Sequence, residues 1–165
     1  MTMYYQNLMS IKEDLSINGD SLSPMLHNLD IWLVSLSSQK LNRINPYQFS
    51  MDFNYNERDV LKIFLIGVKK DLFKMFYEVR NDDDDYIGLI SEKQYKSLWL
   101  DNKPLHLYSR YSDEEEEFFL HNIEVWFSLN IVPSEIPEII QSPKKVIASP
   151  LTGNDANLKR ELMER

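Results

Sequence analysis

The residues of this chain whose types could do chemistry are its carboxylates and its histidines. Two acidic runs, Asp82–Asp85 and Asp113–Glu117, supply nine of the 26 acidic residues. Acid–base catalysis by paired carboxyl groups needs environments that hold the two pKa values apart, and neither run has buried neighbours that would do so. The three histidines, His27, His106 and His121, fall in different predicted elements. These patterns predict no catalytic residue.

A small metal-dependent hydrolase is the remaining enzyme hypothesis. His106 and His121 could face each other across a predicted hairpin, with acids nearby. The ligand spacing of an open zinc site is absent, and the Asp82–Asp85 run lacks the interleaved glycine and distal glutamate of a calcium loop. The chain has no cysteine and no nucleophile or phosphate-loop motif. The sequence therefore predicts no metal and no cofactor, and the hydrolase ranks third among the hypotheses.

Composition and charge indicate a globular, water-soluble protein. The 165 residues are 43% hydrophobic and 12% aromatic, which is typical of chains that bury a core. No apolar run approaches the roughly 18 residues of a membrane span, and the N-terminus lacks a signal-peptide pattern. We therefore expect a cytoplasmic protein without membrane contact. The net charge is −8, the two acidic runs carry nine negative charges, and the rest of the chain therefore has a net charge of about +1.

Runs of like charge repel each other and stay solvated, so both acidic runs are predicted to be loop tips. Each could be a solubilising turn, a docking site for a basic partner, or a guard that repels nucleic acid.

The order of elements between residues 21 and 90 predicts a winged helix-turn-helix within an α+β fold. Apolar residues recur at helical spacing after Ser23-Pro24, a typical start signal. Asn45-Pro46 predicts the start of a second helix, and Asn54-Tyr55-Asn56 predicts the turn that follows it. The last helix, Glu57–Phe73, is followed by two strands joined at the first acidic run. These strands are Met75–Val79 and Tyr86–Ile90.

Winged helices bind DNA or dock proteins, so a basic helix face provides an alternative function. Four basic residues lie along one side of the last predicted helix: Arg58, Lys62, Lys69 and Lys70. In a DNA-binding winged helix these basic side chains would enter the major groove. Affinity for DNA depends on neutralising phosphates, and a wing that ends in Asp82–Asp85 would oppose it. DNA binding is therefore the second hypothesis.

Residues 91–140 predict an antiparallel β appendage of the same domain. A short helix, Ser91–Leu100, precedes a strand at Leu105–Tyr111, and the second acidic run should turn the chain into a long strand. Alternation from Phe118 to Ile131 places His121 on the apolar face and Trp126 on the polar face. An exposed tryptophan often anchors a partner, but Trp126 could equally pack beneath another element.

The N-terminal and C-terminal segments differ from residues 21–140. Residues 1–20 form an N-terminal segment without a clear pattern. Residues 141–165 form a basic tail that contains proline and ends in a short helix, Ala156–Arg165. The tail could dock on a partner or fold back onto the acidic loops, which would give self-association.

Several segments, in this order, resemble a bacterial domain: Asn45–Phe49, Val60–Leu65, Gly67, Asp71–Met75 and Ile123–Phe127. The chain resembles, over about residues 21–135, the uncharacterised winged-helix-like module that precedes the catalytic domain in some bacterial adenylate/guanylate cyclases. Where that family carries cysteine pairs, this chain has Arg80-Asn81 and Asp82–Asp85. The resemblance implies a regulatory or assembly module without a zinc site and without cyclase activity.

The leading hypothesis is a non-catalytic module that acts through protein–protein interaction. Its partner would be another protein, in particular one with a basic surface. The candidate binding residues are Trp126, Asp82, Asp83, Asp84, Asp85, Glu114, Glu115 and Glu116.

Overall fold

Helices dominate the first half of the chain and strands the second. The computed structural model describes residues 4–17, 22, 24–130 and 147–163. These residues form seven α-helices, a three-stranded sheet and a two-stranded antiparallel ribbon, so the predicted α+β class is confirmed. The chain divides into two compact units. The first contains residues 1–74 and 127–149, and the second contains residues 75–126 and 150–165.

The first unit contains five helices, and the two that start after Asn45 and Asn56 follow local capping rules. Asn45 accepts a hydrogen bond from the Tyr47 backbone N–H at 3.0 Å, and Asn56 accepts from Arg58 at 3.0 Å, as expected for N-cap side chains. Ser23 lies outside the described residues. The helices are α1 (Asn7–Ile17), α2 (Met25–Ser35), α3 (Ser38–Leu41), α4 (Pro46–Phe53) and α5 (Glu57–Lys69).

Helix α1 was not predicted, because its stabilising contacts are distant in sequence. The buried Asp30 carboxylate accepts hydrogen bonds from the backbone N–H groups of Tyr4 and Tyr5, at 2.8 and 2.9 Å. Leu8 and Ile11 are fully buried. Tertiary packing of this kind stabilises a helix more than its intrinsic propensity does.

Helix α5 ends four residues before the predicted boundary at Phe73. Asp71 has a left-handed backbone with φ of 62°. The Leu72 N–H donates to the Gly67 carbonyl at 2.9 Å, and the Asp71 N–H donates to the Val68 carbonyl at 3.2 Å. This is a Schellman motif, which ends a helix and satisfies its last carbonyls. The prediction was wrong here because apolar residues continue through the turn.

The first unit has an aromatic core around Phe64, Phe73 and Phe127. The Phe64 ring stacks on Phe73 at a centroid distance of 4.6 Å and meets Phe127 edge-on at 5.4 Å. Gly67 leaves room for this arrangement, since a Cβ at that position would lie 2.6 Å from the Phe73 ring.

The second unit contains most of the strands. The three-stranded sheet has the order β2-β1-β5, and β3 pairs with β4 in the separate ribbon. Tyr95 of the intervening helix stacks on Tyr77 at 4.6 Å and donates to the Gly153 carbonyl at 2.7 Å. The elements are β1 (Phe73–Arg80), β2 (Tyr86–Ile90), α6 (Glu92–Leu100), β3 (Leu105–Ser109), β4 (Glu114–Phe118), β5 (Ile123–Leu129) and α7 (Ala156–Met163).

The second acidic run is a strand and not the predicted loop tip. Only Asp113 lies in the turn, whereas Glu114–Glu117 pair with β3. Glu115 stands opposite Tyr108, and Glu117 opposite His106. No glutamate therefore faces another acid across the ribbon, and neighbouring glutamates point to opposite faces of the strand. This placement reduces the repulsion on which the loop prediction relied.

The strand predicted from Phe118 to Ile131 begins only at Ile123. Residues 120–122 form a 3-10 turn, in which the Asn122 side chain accepts a hydrogen bond from the Phe119 N–H at 2.9 Å. His121 is exposed, so its predicted place on the apolar face is wrong. Local hydrogen bonding by the asparagine side chain overrides the alternating pattern. Ile131 lies outside the described residues.

The predicted C-terminal helix is present as α7. Asp155 caps it by accepting a hydrogen bond from the Leu158 N–H at 3.0 Å, and its last two predicted residues lie outside the described part. In the described ranges, no helix combines the length and apolar character needed to cross a membrane.

Replacing Gly67 tests the close packing of the aromatic core. Gly67→Ala forces the buried Phe73 ring to move, and overpacking of this kind costs about 1–3 kcal/mol, more than the roughly 1 kcal/mol that alanine gains in a helix. We expect a lower urea midpoint of unfolding. Gly88→Ala is the matched control, because a Cβ there has no neighbour within 4 Å. A Gly67→Ala midpoint equal to wild type would contradict this packing.

Alkaline pH should destabilise the fold through Tyr5. Burial and the nearby Asp30 charge raise the pKa of Tyr5 from 10.0 to about 12. Between these values the unfolded chain releases the phenol proton and the folded chain keeps it, so stability is full below pH 10.0 and falls as the pH rises. Urea midpoints at about pH 9 and about pH 11 measure the fall. The fall should be smaller in Tyr5→Phe, and an equal fall would contradict this origin.

Candidate functional site

A partly buried ion pair lies at the end of β1, where the first acidic run begins. Glu78 and Arg80 share one face of the strand because side chains alternate. Arg80 Nε and Nη2 donate to Glu78 Oε1 at 2.8 and 2.5 Å, and the Glu78 side chain is only 3% exposed. Arg80 Nε also lies 3.3 Å from Glu124 Oε1.

These carboxylates keep Arg80 charged. Burial acts to lower the Arg80 pKa, but the hydrogen bonds that Arg80 donates to Glu78 and the charges of Glu78, Glu124 and Asp84 outweigh it, so the pKa is raised. A fixed positive charge therefore lies beside the four aspartates that follow.

Asn81 and Arg80 order the turn that contains Asp82–Asp85. Asn81 Oδ1 accepts from the backbone N–H groups of Asp83 and Asp85, at 3.0 and 2.8 Å. Arg80 Nη1 donates to the Asp84 carbonyl at 2.8 Å. Asp84 adopts a left-handed backbone with φ of 65°, which aspartate tolerates better than most residues. The run is thus a defined turn between β1 and β2.

The side chains of Asp82, Asp83 and Asp84 are exposed, whereas Asp85 is half-buried and accepts a hydrogen bond from Asn81 Nδ2 at 3.2 Å. The Asp82 side chain is 86% exposed and that of Asp84 is 80% exposed. The prediction that this run forms a loop tip is confirmed.

Aromatic side chains lie on one side of the turn, around Phe119. Asp82 Oδ1 accepts from Asn122 Nδ2 at 3.1 Å and lies 3.5 Å from His121 Nε2. The His121 ring stacks on Phe119 at 6.0 Å, and Phe119 is 44% exposed. An exposed aromatic pair therefore adjoins the acidic turn.

A second aromatic group is associated with the end of the turn at Asp85. Arg110 Nη2 donates to the Tyr111 hydroxyl at 3.0 Å, which raises the Arg110 pKa, and the charges of Tyr86 and Asp85 raise it further. The Arg110 guanidinium is 5.1 Å from the Tyr111 ring centroid. Tyr86 and Tyr111 are both exposed. We define the acidic–aromatic surface as Asp82–Asp85 with Tyr86, Tyr111 and Phe119.

Trp126 lies outside this surface definition. It is half-buried in β5, and its indole N–H donates to Glu124 Oε1 at 3.0 Å. Glu124 also lies beside Arg80. The indole is thus connected to the ion pair, and this geometry favours internal packing over a role as a freely projecting anchor.

The glutamates of the second acidic run alternate between the two faces of the β3–β4 ribbon. Glu114 and Glu115 are exposed, and Glu116 is half-buried. Tyr108, opposite Glu115, donates a hydrogen bond to Asp113, which raises the Tyr108 pKa. The ribbon thus combines carboxylates with tyrosine and histidine side chains.

The basic residues proposed for DNA binding lie in the first unit. Lys62 and Lys69 are exposed on α5, whereas Arg58 and Lys70 are half-buried. The Lys70 carbonyl accepts a hydrogen bond from Asn7 Nδ2 at 2.6 Å.

The two histidines of the metal hypothesis lie on different elements. His106 is in β3 opposite Glu117, and His121 is in the 3-10 turn beside Asp82. The expected hairpin between their segments does not form, because β4 pairs with β3 instead. In the described part of the chain, no group of three or more histidine, aspartate or glutamate side chains is placed to hold a metal ion.

Sequence reasoning found the acidic turn but missed the residues that organise and surround it. The position of Asn81 before an aspartate run could have indicated an ordered turn. Asparagine side chains often accept hydrogen bonds from backbone groups two residues further along the chain. The alternation of Glu78 and Arg80 also indicates a pair on one strand face. No local signal places Phe119 or Tyr111 near the turn.

Comparisons with known proteins do not identify a family for this chain. No protein-family model, curated protein or solved structure matches it.

Arg80→Met tests whether the ion pair stabilises the second unit. The substitution removes the charge that offsets the buried Glu78 carboxylate, so we expect a loss of about 2–3 kcal/mol in unfolding free energy, near the lower end for broken buried pairs. Lys96→Met is the control. Its partner Glu92 lies 3.4 Å away on the surface, and exposed pairs contribute about 0.5 kcal/mol. Equal losses in urea unfolding would contradict a structural role for Arg80.

Proposed function

We propose that this chain is a non-catalytic regulatory or assembly module, acting in the cytoplasm, that binds a basic protein through its acidic–aromatic surface. The observation that carries the proposal is the ordered turn at Asp82–Asp85. Its backbone is fixed by Asn81 and Arg80, while the side chains of Asp82, Asp83 and Asp84 are exposed.

A defined turn keeps the four carboxylates close together, where like charges repel each other. A solubilising run needs only charge, and a flexible loop would let the four carboxylates move apart. A preorganised site instead loses less conformational entropy when a partner binds. The defined hydrogen bonds around Asp83 and Asp85 therefore support recognition over simple solubility.

The flanking side chains suit a partner rich in lysine and arginine. Carboxylates attract such a surface and accelerate its approach. The exposed rings of Tyr86, Tyr111 and Phe119 add apolar area and can accept cation–π contacts. Aromatic residues are also enriched at protein interfaces. The β4 glutamates, Glu114–Glu116, would extend the attraction of the second unit for a basic protein.

The architecture we propose for the region is winged-helix-like. Helix α4, the turn at Asn54–Asn56, helix α5 and the β1–β2 hairpin follow one another in the order of that fold. In this scheme the hairpin is the wing and Asp82–Asp85 its tip. Such a wing disfavours a phosphate backbone and favours a basic protein.

The exposed Lys62 and Lys69 keep DNA binding as the second candidate function. A gel-shift titration of duplex DNA at low salt distinguishes the two. We expect no shift at about 50 mM salt, where phosphate contacts are strongest. A shift that Lys62→Glu abolishes would overturn the protein-binding proposal in favour of a DNA-binding regulator.

Charge-neutral variants test the proposed binding surface directly. Asp82, Asp83 and Asp84 are changed together to asparagine, which keeps their shape, and immobilised wild type and variant are exposed to lysate of the source organism. We expect wild type to retain a specific basic protein in a salt-sensitive manner and the variant to lose it.

The matched control removes the same amount of charge elsewhere. Glu13→Gln, Glu92→Gln and Asp101→Asn together change exposed acids outside the surface. This control should retain the partner. Equal retention by both triple variants would show that the turn is not the binding site.

A further inference from the structure

The two edges of the second unit's sheet differ in how they are covered. On the β5 side, the Val125 N–H donates to the Leu151 carbonyl at 2.7 Å, and the Gly153 N–H donates to the Ile123 carbonyl at 2.6 Å. On the other side the sheet ends with β2. Within the described residues, no backbone group of another segment pairs with the outer edge of β2.

The sequence of β2, Tyr86–Ile90, contains no charge and no proline that would protect this edge. Natural edge strands usually carry such protection, because unpaired N–H and C=O groups invite another strand. Leu89 is 60% exposed and Tyr86 is 39% exposed, so apolar contact area is available beside the open backbone. The register shift near Ile87 is the one irregularity, and a bulge of this kind shortens the regular edge.

The charge around β2 is distributed unevenly. The strand starts directly after Asp85, and the exposed Asp83 and Asp84 precede it. An incoming strand would therefore meet neutral, apolar residues along β2 and four carboxylates at one end.

We infer that a partner protein adds an extended segment to the outer edge of β2 as a fourth strand, with lysine or arginine at the end that lies beside Asp82–Asp85. Strand addition supplies affinity through main-chain hydrogen bonds and specificity through alternate side chains. This inference rests on the proposed function and defines how the partner is bound.

A second copy of this chain fits the same edge less well. Each copy carries a net charge of −8, and Asp82–Asp85 of each copy would adjoin the shared edge. Two such copies repel each other, so a basic segment is the complementary occupant.

Peptide titration with amide exchange tests the inference. The probe is a short amidated peptide with a lysine-rich end followed by alternating valine and threonine, added to the isotope-labelled full chain. We expect binding that slows hydrogen exchange of the β2 amides on the outer edge by about tenfold or more. The same peptide, N-methylated at alternate residues, cannot donate those hydrogen bonds and should bind about tenfold more weakly.

A pair of lysine substitutions adds a matched control. Leu89→Lys places a positive charge on the edge of β2 and should weaken binding of the lysine-rich peptide about tenfold. Leu100→Lys changes an equally exposed leucine of α6 (67% exposed) and should leave binding unchanged. Equal effects of the two substitutions would overturn the assignment to β2.

The outcomes separate this inference from the proposed function. If the peptide binds, loses affinity on Asp83→Asn and Asp84→Asn, and leaves β2 exchange unchanged, strand addition is wrong while the acidic surface still binds basic partners. If neither peptide binds, both proposals fail. If β2 amides are already protected in the free protein and the chain elutes as a dimer, a second copy occupies the edge and the inference is overturned.

Discussion

The mutual repulsion of four consecutive aspartates is the constraint on which the functional account depends. At loop positions such carboxylates would normally separate and remain mobile. Here the Asn81 side chain bonds two backbone N–H groups of the turn, and Arg80 bonds the Asp84 carbonyl. Arg80 is itself fixed by the buried Glu78. The surface charge is therefore ordered by a partly buried ion pair at the end of β1.

The other proposed recognition elements follow one another along this part of the chain. Strand β1 ends at the ion pair, the turn presents the charge, and β2 continues as an edge strand with exposed Tyr86 and Leu89. Phe119 and His121 adjoin the turn through Asp82. Charge attracts a partner over long range, while aromatic area and backbone hydrogen bonds act at contact. One short stretch of the second unit thus combines the three kinds of interaction.

Local signals predicted much of the fold, because helix caps and turns depend on neighbouring residues. The starts of α4 and α5 and the β1–β2 hairpin were recognised in this way. The wrong or missing predictions have two causes, which are tertiary contacts and local side-chain hydrogen bonds. Asp30 stabilises the unpredicted α1 from a distance, and Asn122 interrupts an alternating pattern. In the candidate site the aspartates were predictable from sequence, but Asn122, which bonds Asp82 from the segment of Phe119 and His121, lies 40 residues further along the chain.

The order of the acidic turn can be measured directly by ¹⁵N backbone relaxation of the free protein. The account predicts order parameters for Asp83 and Asp84 close to those of rigid backbone, about 0.8 or higher. Values below about 0.6 would describe a mobile, solvated loop. Such values would contradict the claim that this chain presents a preorganised acidic surface.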